Sequence, residues 1–134
     1  MTDLELRWVF QARSLEVFQA TPLVVDGIMY LVEPTNTVVA LDAKLGRVFW
    51  TYEYTPSRAA RPCCGAVNRG LAVLDNTLFL ATIDANLVAL DATSGKPLWK
   101  TNVGDPAAGY ALTLAPLVIK DKVVVGIAGG EYGI

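Results

Sequence analysis

Branched and aromatic residues occur in short runs along nearly the whole chain, each cut off by a few polar or glycine-containing positions. Runs over 23–25, 28–32, 38–41 and 48–54 are separated by Asp26-Gly27, Pro34-Thr35-Asn36 and Leu45-Gly46. Runs over 71–74, 77–82, 87–90 and 98–101 then follow with the same rhythm. Short β-branched runs bounded by turn residues predict strands. No window sustains the 3.6-residue period of a long helix, so helices should be almost absent.

The rhythm is a true repeat. Ala40-Leu41-Asp42-Ala43-Lys44-Leu45-Gly46-Arg47-Val48-Phe49-Trp50 returns as Ala89-Leu90-Asp91-Ala92-Thr93-Ser94-Gly95-Lys96-Pro97-Leu98-Trp99, every position displaced by 49 residues. The turn signals Asp26-Gly27 and Asp75-Asn76 are displaced by the same amount, and a third, Asp121-Lys122, follows Ala115-Pro116-Leu117-Val118-Ile119. A period of this size with four strands per unit is the pattern of a propeller blade. Within the motif, Asp42 or Asp91 can accept bonds from the amides of the following turn, and Gly46 or Gly95 permits a backbone angle that other residues resist. Trp50 or Trp99 offers a broad surface to pack between blades. The predicted fold is all-β: a partial propeller of about two and a half four-stranded antiparallel blades. One blade spans 21–55, a second 70–102, and half of a third 113–134. Residues 6–10 form an orphan strand of a closing blade, with Trp8 in the place of a motif tryptophan.

Composition narrows the chemistry. The chain of 134 residues is 53% hydrophobic and 18% charged, which suits one domain with a sizeable core. Net charge is −2 with acids and bases interspersed, so no basic face points to a nucleic acid. Histidine is absent. That removes the usual neutral-pH base, the histidine-dependent nucleophile arrangements and every histidine-containing zinc site. No run of eighteen apolar residues could span a bilayer, and the start of the chain shows no secretory signal.

Two segments carry more specific information. Cys63-Cys64-Gly65-Ala66-Val67-Asn68-Arg69-Gly70-Leu71-Ala72 is one; the other runs from Thr113-Leu114-Ala115-Pro116 to Ala128-Gly129-Gly130-Glu131-Tyr132-Gly133. Taken on their own, adjacent cysteines are either two buried thiols or a strained vicinal disulfide, since ordinary disulfides want Cα atoms farther apart than one peptide allows. Arg69 alone would be a surface arginine at a strand start, and Glu131 alone a solvated charge.

Together these segments resemble the pyrroloquinoline quinone (PQQ)-dependent alcohol and methanol dehydrogenases, over residues 4–134 but only about the first quarter of a family member. The resemblance implies an eight-bladed ring with the quinone on its axis, in a periplasmic protein. It implies that Cys63 and Cys64 form a vicinal disulfide lying against one face of the quinone. Arg69 would pair with the quinone's carboxylate and carbonyl oxygens, a task suited to a rigid, permanently charged fork. Thr113, Ala128, Gly129 and Gly130 would add hydroxyl and backbone bonds, with alanine standing where many relatives have serine. Glu131 would be one ligand of a calcium ion, which takes several oxygens. Gln19 stands where the family usually has glutamate; it keeps an acceptor oxygen but loses the charge.

By resemblance, the parent protein oxidises a small alcohol by hydride transfer to the quinone and passes electrons to a cytochrome. Its other blades supply the remaining metal ligands and the catalytic base, so no catalytic residue lies in 1–134 and the segment alone should not turn over. A non-enzymatic propeller of the same repeat type, acting as scaffold or interaction module, is the alternative; Gln19 and Ala128 favour it, while the cysteine pair and Glu131 oppose it. Either way, an incomplete ring leaves sheet edges bare, and the isolated chain should self-associate, with the Trp8 strand available to a neighbour's incomplete blade.

Overall fold

The computed structural model describes residues 3–62 and 65–129. The first four-stranded sheet comprises β1 (Leu23–Val25), β2 (Ile28–Glu33), β3 (Thr37–Asp42) and β4 (Val48–Tyr52), paired in chain order and antiparallel. The second repeats the order with β5 (Ala72–Leu74), β6 (Thr77–Ala81), β7 (Asn86–Asp91) and β8 (Pro97–Asn102). A two-stranded sheet follows, β9 (Leu117–Ile119) with β10 (Lys122–Val124). Single turns of 3-10 helix at Pro34–Asn36 and Pro106–Ala108 are the only helical elements among the described residues.

The two large sheets stack face to face. Because side chains alternate along a strand, Tyr30, Val32, Val38 and Ala40 point from the first sheet into a shared core with Leu71, Leu78, Leu80, Val88 and Leu90 of the second. The opposite face of the second sheet (Ala72, Phe79, Leu87, Ala89) packs against Val118 and Val123 of the third and against Val125 just beyond it. The middle strands are thus covered on both sides, and Leu78, Leu80 and Leu90 are wholly buried. Full burial of such a side chain contributes about 1.5–3 kcal/mol.

The repeated motif builds the same corner twice. Asp42 Oδ1 accepts from the N–H groups of Lys44 and Leu45 at 2.9 and 3.0 Å. Asp91 Oδ1 accepts from the N–H and hydroxyl of Ser94, both at 2.7 Å. The N–H of Gly46 bonds Asp42 O and that of Gly95 bonds Asp91 O, each at 2.8 Å, and both glycines have φ of +70°. A register shift marks each corner, between Ala40 and Leu41 and again between Ala89 and Leu90.

Trp50 then reaches from β4 to the next unit, where its Nε1–H donates to Ala92 O at 3.1 Å. A Cβ on Gly95 would overlap Trp50 Cε3. Trp8 makes the corresponding contacts one unit earlier: Nε1–H to Ala43 O at 3.1 Å, with the ring 2.7 Å from where a Gly46 Cβ would be. Residues 6–10, expected as a strand, pair with no other strand among the described residues. They lie across the outer face of the first sheet instead, with Trp8 and Phe10 packed on Leu31, Val39 and Leu41. Side-chain packing on a sheet face, rather than edge pairing, holds them, so Trp8 is engaged within its own chain and is not left open to a neighbour.

Candidate functional site

Three stretches of chain meet just ahead of the first strand of each sheet. Thr21, just before β1, forms an isolated parallel bridge with Gly70, just before β5. The N–H of Thr21 donates to Arg69 O at 3.3 Å, and the N–H of Arg69 donates to Thr113 O at 3.1 Å. Gly70 has φ of +139°, and a Cβ there would sit 3.3 Å from Thr21 O and 3.5 Å from Ala115 Cβ. Glycine is required at this convergence both for its backbone angle and for the close approach.

Arg69 and Thr113, singled out separately in the sequence, are in direct contact. One guanidinium nitrogen, Nη1, donates to Thr113 Oγ1 at 2.8 Å and to Thr113 O at 3.2 Å. The Thr113 hydroxyl accepts this bond and keeps its own hydrogen to donate. Arg69 is exposed, and the four ion pairs among the described residues involve Arg7, Arg13, Arg47 and Lys122 instead. Among the described residues its cationic fork is thus oriented by neutral oxygens, the hydroxyl and carbonyl of Thr113. That arrangement fits an oxyanion-bearing ligand, for which a guanidinium offers paired donors.

The remaining candidates fall unevenly. The N–H of Ala128 donates to Ala111 O at 2.8 Å across an antiparallel bridge. It is closed to a ligand and serves to tie the glycine turn to the segment leading to Thr113. Gly129 follows, buried, with φ of +101°. Gln19 is exposed, two residues ahead of the Thr21 contact. Cys63, Cys64, Gly130 and Glu131 lie outside the described residues. Among the described residues, no group of three or more acidic or thiol side chains could hold a metal ion.

The long connection from β4 to β5, which carries the cysteine pair, is pinned at both ends by buried polar side chains that periodicity does not reveal. At its start, Asp84 accepts from the Tyr54 hydroxyl at 2.9 and 3.0 Å, from the Ser57 N–H at 2.9 Å and from the Thr82 hydroxyl at 2.6 Å. Burial pushes the Asp84 carboxyl up, but hydrogen bonds from Thr82, Ser57, Asn86 and Tyr54 outweigh it and hold the group below its ordinary value. Burial, reinforced by the adjacent Asp84 charge and opposed by bonds from Thr82 and Asn86, pushes the Tyr54 phenol up to about 12. At the end of the connection, Asn68 is 2% exposed; its amide donates to Asn36 Oδ1 at 2.9 Å and Ala81 O at 2.8 Å. Its Oδ1 accepts from the N–H of Gly70 at 2.9 Å. The sequence signal for Asp84 is its place between Thr82 and Asn86, side chains that bond nearby backbone in turns; Asn68 stands beside Arg69 with no role attached.

The sequence matches, over residues 1–132, the family described as glucose/ethanol/alcohol dehydrogenase, beta-propeller domain (PQQ). It is 42% identical over 135 residues to a 1-butanol dehydrogenase (cytochrome c) of Thauera butanivorans, covering 98% of this chain and 20% of that protein. It is 44% identical over 136 residues to a lanthanide-dependent methanol dehydrogenase of Methylorubrum extorquens, covering 98% of this chain and 23% of that one. A europium-containing methanol dehydrogenase structure superposes with a TM-score of 0.90 at 41% identity, covering 97% of this chain and 23% of its own. The chain thus spans about a fifth of the length of the curated relatives it matches.

Proposed function

The chain belongs to the PQQ-dependent glucose/ethanol/alcohol dehydrogenase β-propeller family, and from that membership we propose that it is the N-terminal part of a periplasmic quinoprotein that oxidises small alcohols. The observation that supports this reading is the Arg69–Thr113 contact, which orients a cationic fork beside a hydroxyl where the segments leading to β1, β5 and β9 converge. Bound there, the quinone supplies a two-electron acceptor for the hydride. Arg69 holds its carboxylate and carbonyl oxygens, and Thr113 fixes the guanidinium plane while donating its own hydrogen. Gly129 and Gly130 would let the backbone come close, Gln19 would offer an amide in place of a carboxylate, and the cysteine pair, as a vicinal disulfide, would contact the quinone.

Among the described residues no cluster of acidic or thiol side chains makes a metal site by itself. Glu131 is this chain's proposed ligand for calcium, the partner ligands coming from other blades. The relatives named for lanthanides make a trivalent ion the competing occupant. Electron transfer to a cytochrome is proposed from the name of the Thauera butanivorans relative. Among the described residues no helix is long and apolar enough to cross a membrane.

The test is equilibrium dialysis of the full-length protein against PQQ, with and without calcium, beside an Arg69→Ala variant. Retention of quinone absorbance by the unaltered protein and its loss in the variant are expected. No binding under either condition would favour the scaffold reading, to which the Gln19 and Ala128 departures lean. Residues 1–134 alone are expected to show no dye-linked alcohol oxidation. They are also expected to self-associate through the face around Trp99, which is 45% exposed; a monomer by light scattering at high concentration would contradict this.

A further inference from the structure

Asn68 is a buried amide whose two N–H groups and oxygen are all hydrogen-bonded, each to a different part of the molecule. One N–H goes to Asn36 on the turn between β2 and β3 of the first sheet, the other to Ala81 O at the end of β6 in the second, and the oxygen takes the Gly70 N–H of its own turn. Asn36 is wholly buried, with φ of +71°, and the same turn binds the connection a second time, Thr35 N–H to Ala66 O at 3.3 Å. Two acceptors and one donor face this side chain, a set that an amide satisfies and a carboxylate cannot. The next residue is Arg69, whose own backbone is bonded on both sides, to Thr113 and to Thr21.

We infer that Asn68 is a positioning residue for Arg69: by joining the β2–β3 turn, the end of β6 and Gly70, it fixes the backbone from which the guanidinium is aimed at its ligand. The inference rests on the quinone-binding reading of Arg69. Asn68 touches no ligand in this role and acts only through its neighbour. Removing it lets the Arg69 arm rotate away from Thr113, and the bonds from guanidinium to quinone weaken while the other quinone contacts persist.

A double-mutant cycle on the full-length protein tests this, reading the dissociation constant for PQQ rather than turnover. Asn68→Ala is expected to weaken binding about tenfold or more, and Arg69→Ala at least as much. The double variant should bind within about twofold of Arg69→Ala alone, since the first change has nothing left to misplace. A merely structural role for Asn68 would instead give losses that multiply, and that result would overturn the inference. If Asn68→Ala fails to fold, Asn36→Ala removes one of its acceptors while leaving the other two bonds, and the same cycle applies: coupling to Arg69 supports the inference, full additivity overturns it. Wild-type affinity in Arg69→Ala would remove the quinone reading and this inference together. Weak binding in Arg69→Ala with wild-type affinity in Asn68→Ala would remove this inference alone.

Discussion

The indole of Trp50 fills the space that a side chain on Gly95 would need, and its N–H closes on the carbonyl of Ala92 three residues before that glycine. The glycine therefore has two duties, a left-handed turn and a vacancy for a neighbour 45 residues away in the chain. Only the first could be inferred from the motif.

Gly95→Ala should separate these duties. A left-handed alanine costs about 1–2 kcal/mol, and forced overpacking adds about 1–3 kcal/mol. Gly27 also has positive φ, +79°, but open space around its missing Cβ. Urea unfolding should show Gly27→Ala losing about 1–2 kcal/mol and Gly95→Ala clearly more. Equal losses would mean that the Trp50 contact contributes nothing.

Trp8 anchors the N-terminal segment by the same contact pair at Gly46 and Ala43. Trp8→Ala is expected to expose the chain near Arg13 and accelerate tryptic cleavage there, while cleavage within the two large sheets stays slow. Unchanged cleavage at Arg13 would show that the segment is held by other contacts.

The Asp84 cluster predicts pH dependence at both ends of the scale. The folded carboxyl lies below its ordinary 3.8, so its stabilisation is present above that value and is lost as pH falls through the folded value. Asp84→Asn should flatten the acid limb of a stability profile and lower the plateau at neutral pH. Tyr54 is shifted the other way, so the fold should lose stability as pH rises from 10.0 to about 12. In an ultraviolet titration Tyr54→Phe should remove a late phenolate step. Persistence of that step in the variant would assign it elsewhere.

Thr113 offers a graded test of the site. Thr113→Ser keeps the acceptor for Arg69 and should bind PQQ within about twofold of wild type. Thr113→Val removes it and should weaken binding about tenfold, the scale of one hydrogen bond to a charged group. Equal affinity of the two variants would mean that the hydroxyl does not orient Arg69.

Much of the architecture was legible because it is written locally. Alternation, turn residues and the repeat are properties of neighbouring positions, and the strands 23–25 and 77–81 follow from them almost residue for residue. Residues 6–10 have the same local pattern yet no ladder, because strand formation also needs an edge to pair with, and the Trp8 face contact satisfies them first. The site divides similarly. Arg69 and Thr113 were separate expectations 44 positions apart, and only the fold shows that they touch. Asn68 and Asp84 were invisible as anchors because their partners, Asn36 and Tyr54, lie about thirty residues away with no periodic relation to them.

The tryptophan contact also has a direction. Trp8 engages the unit after it and Trp50 engages the one after that, so the first large sheet accepts a tryptophan at one side and donates one at the other. Such a one-way coupling is heterologous, so it either closes on itself or continues indefinitely. In this fold the order of wedges around the axis must then copy their order of synthesis, and a growing chain can dock each new wedge as it emerges, without sorting among alternatives.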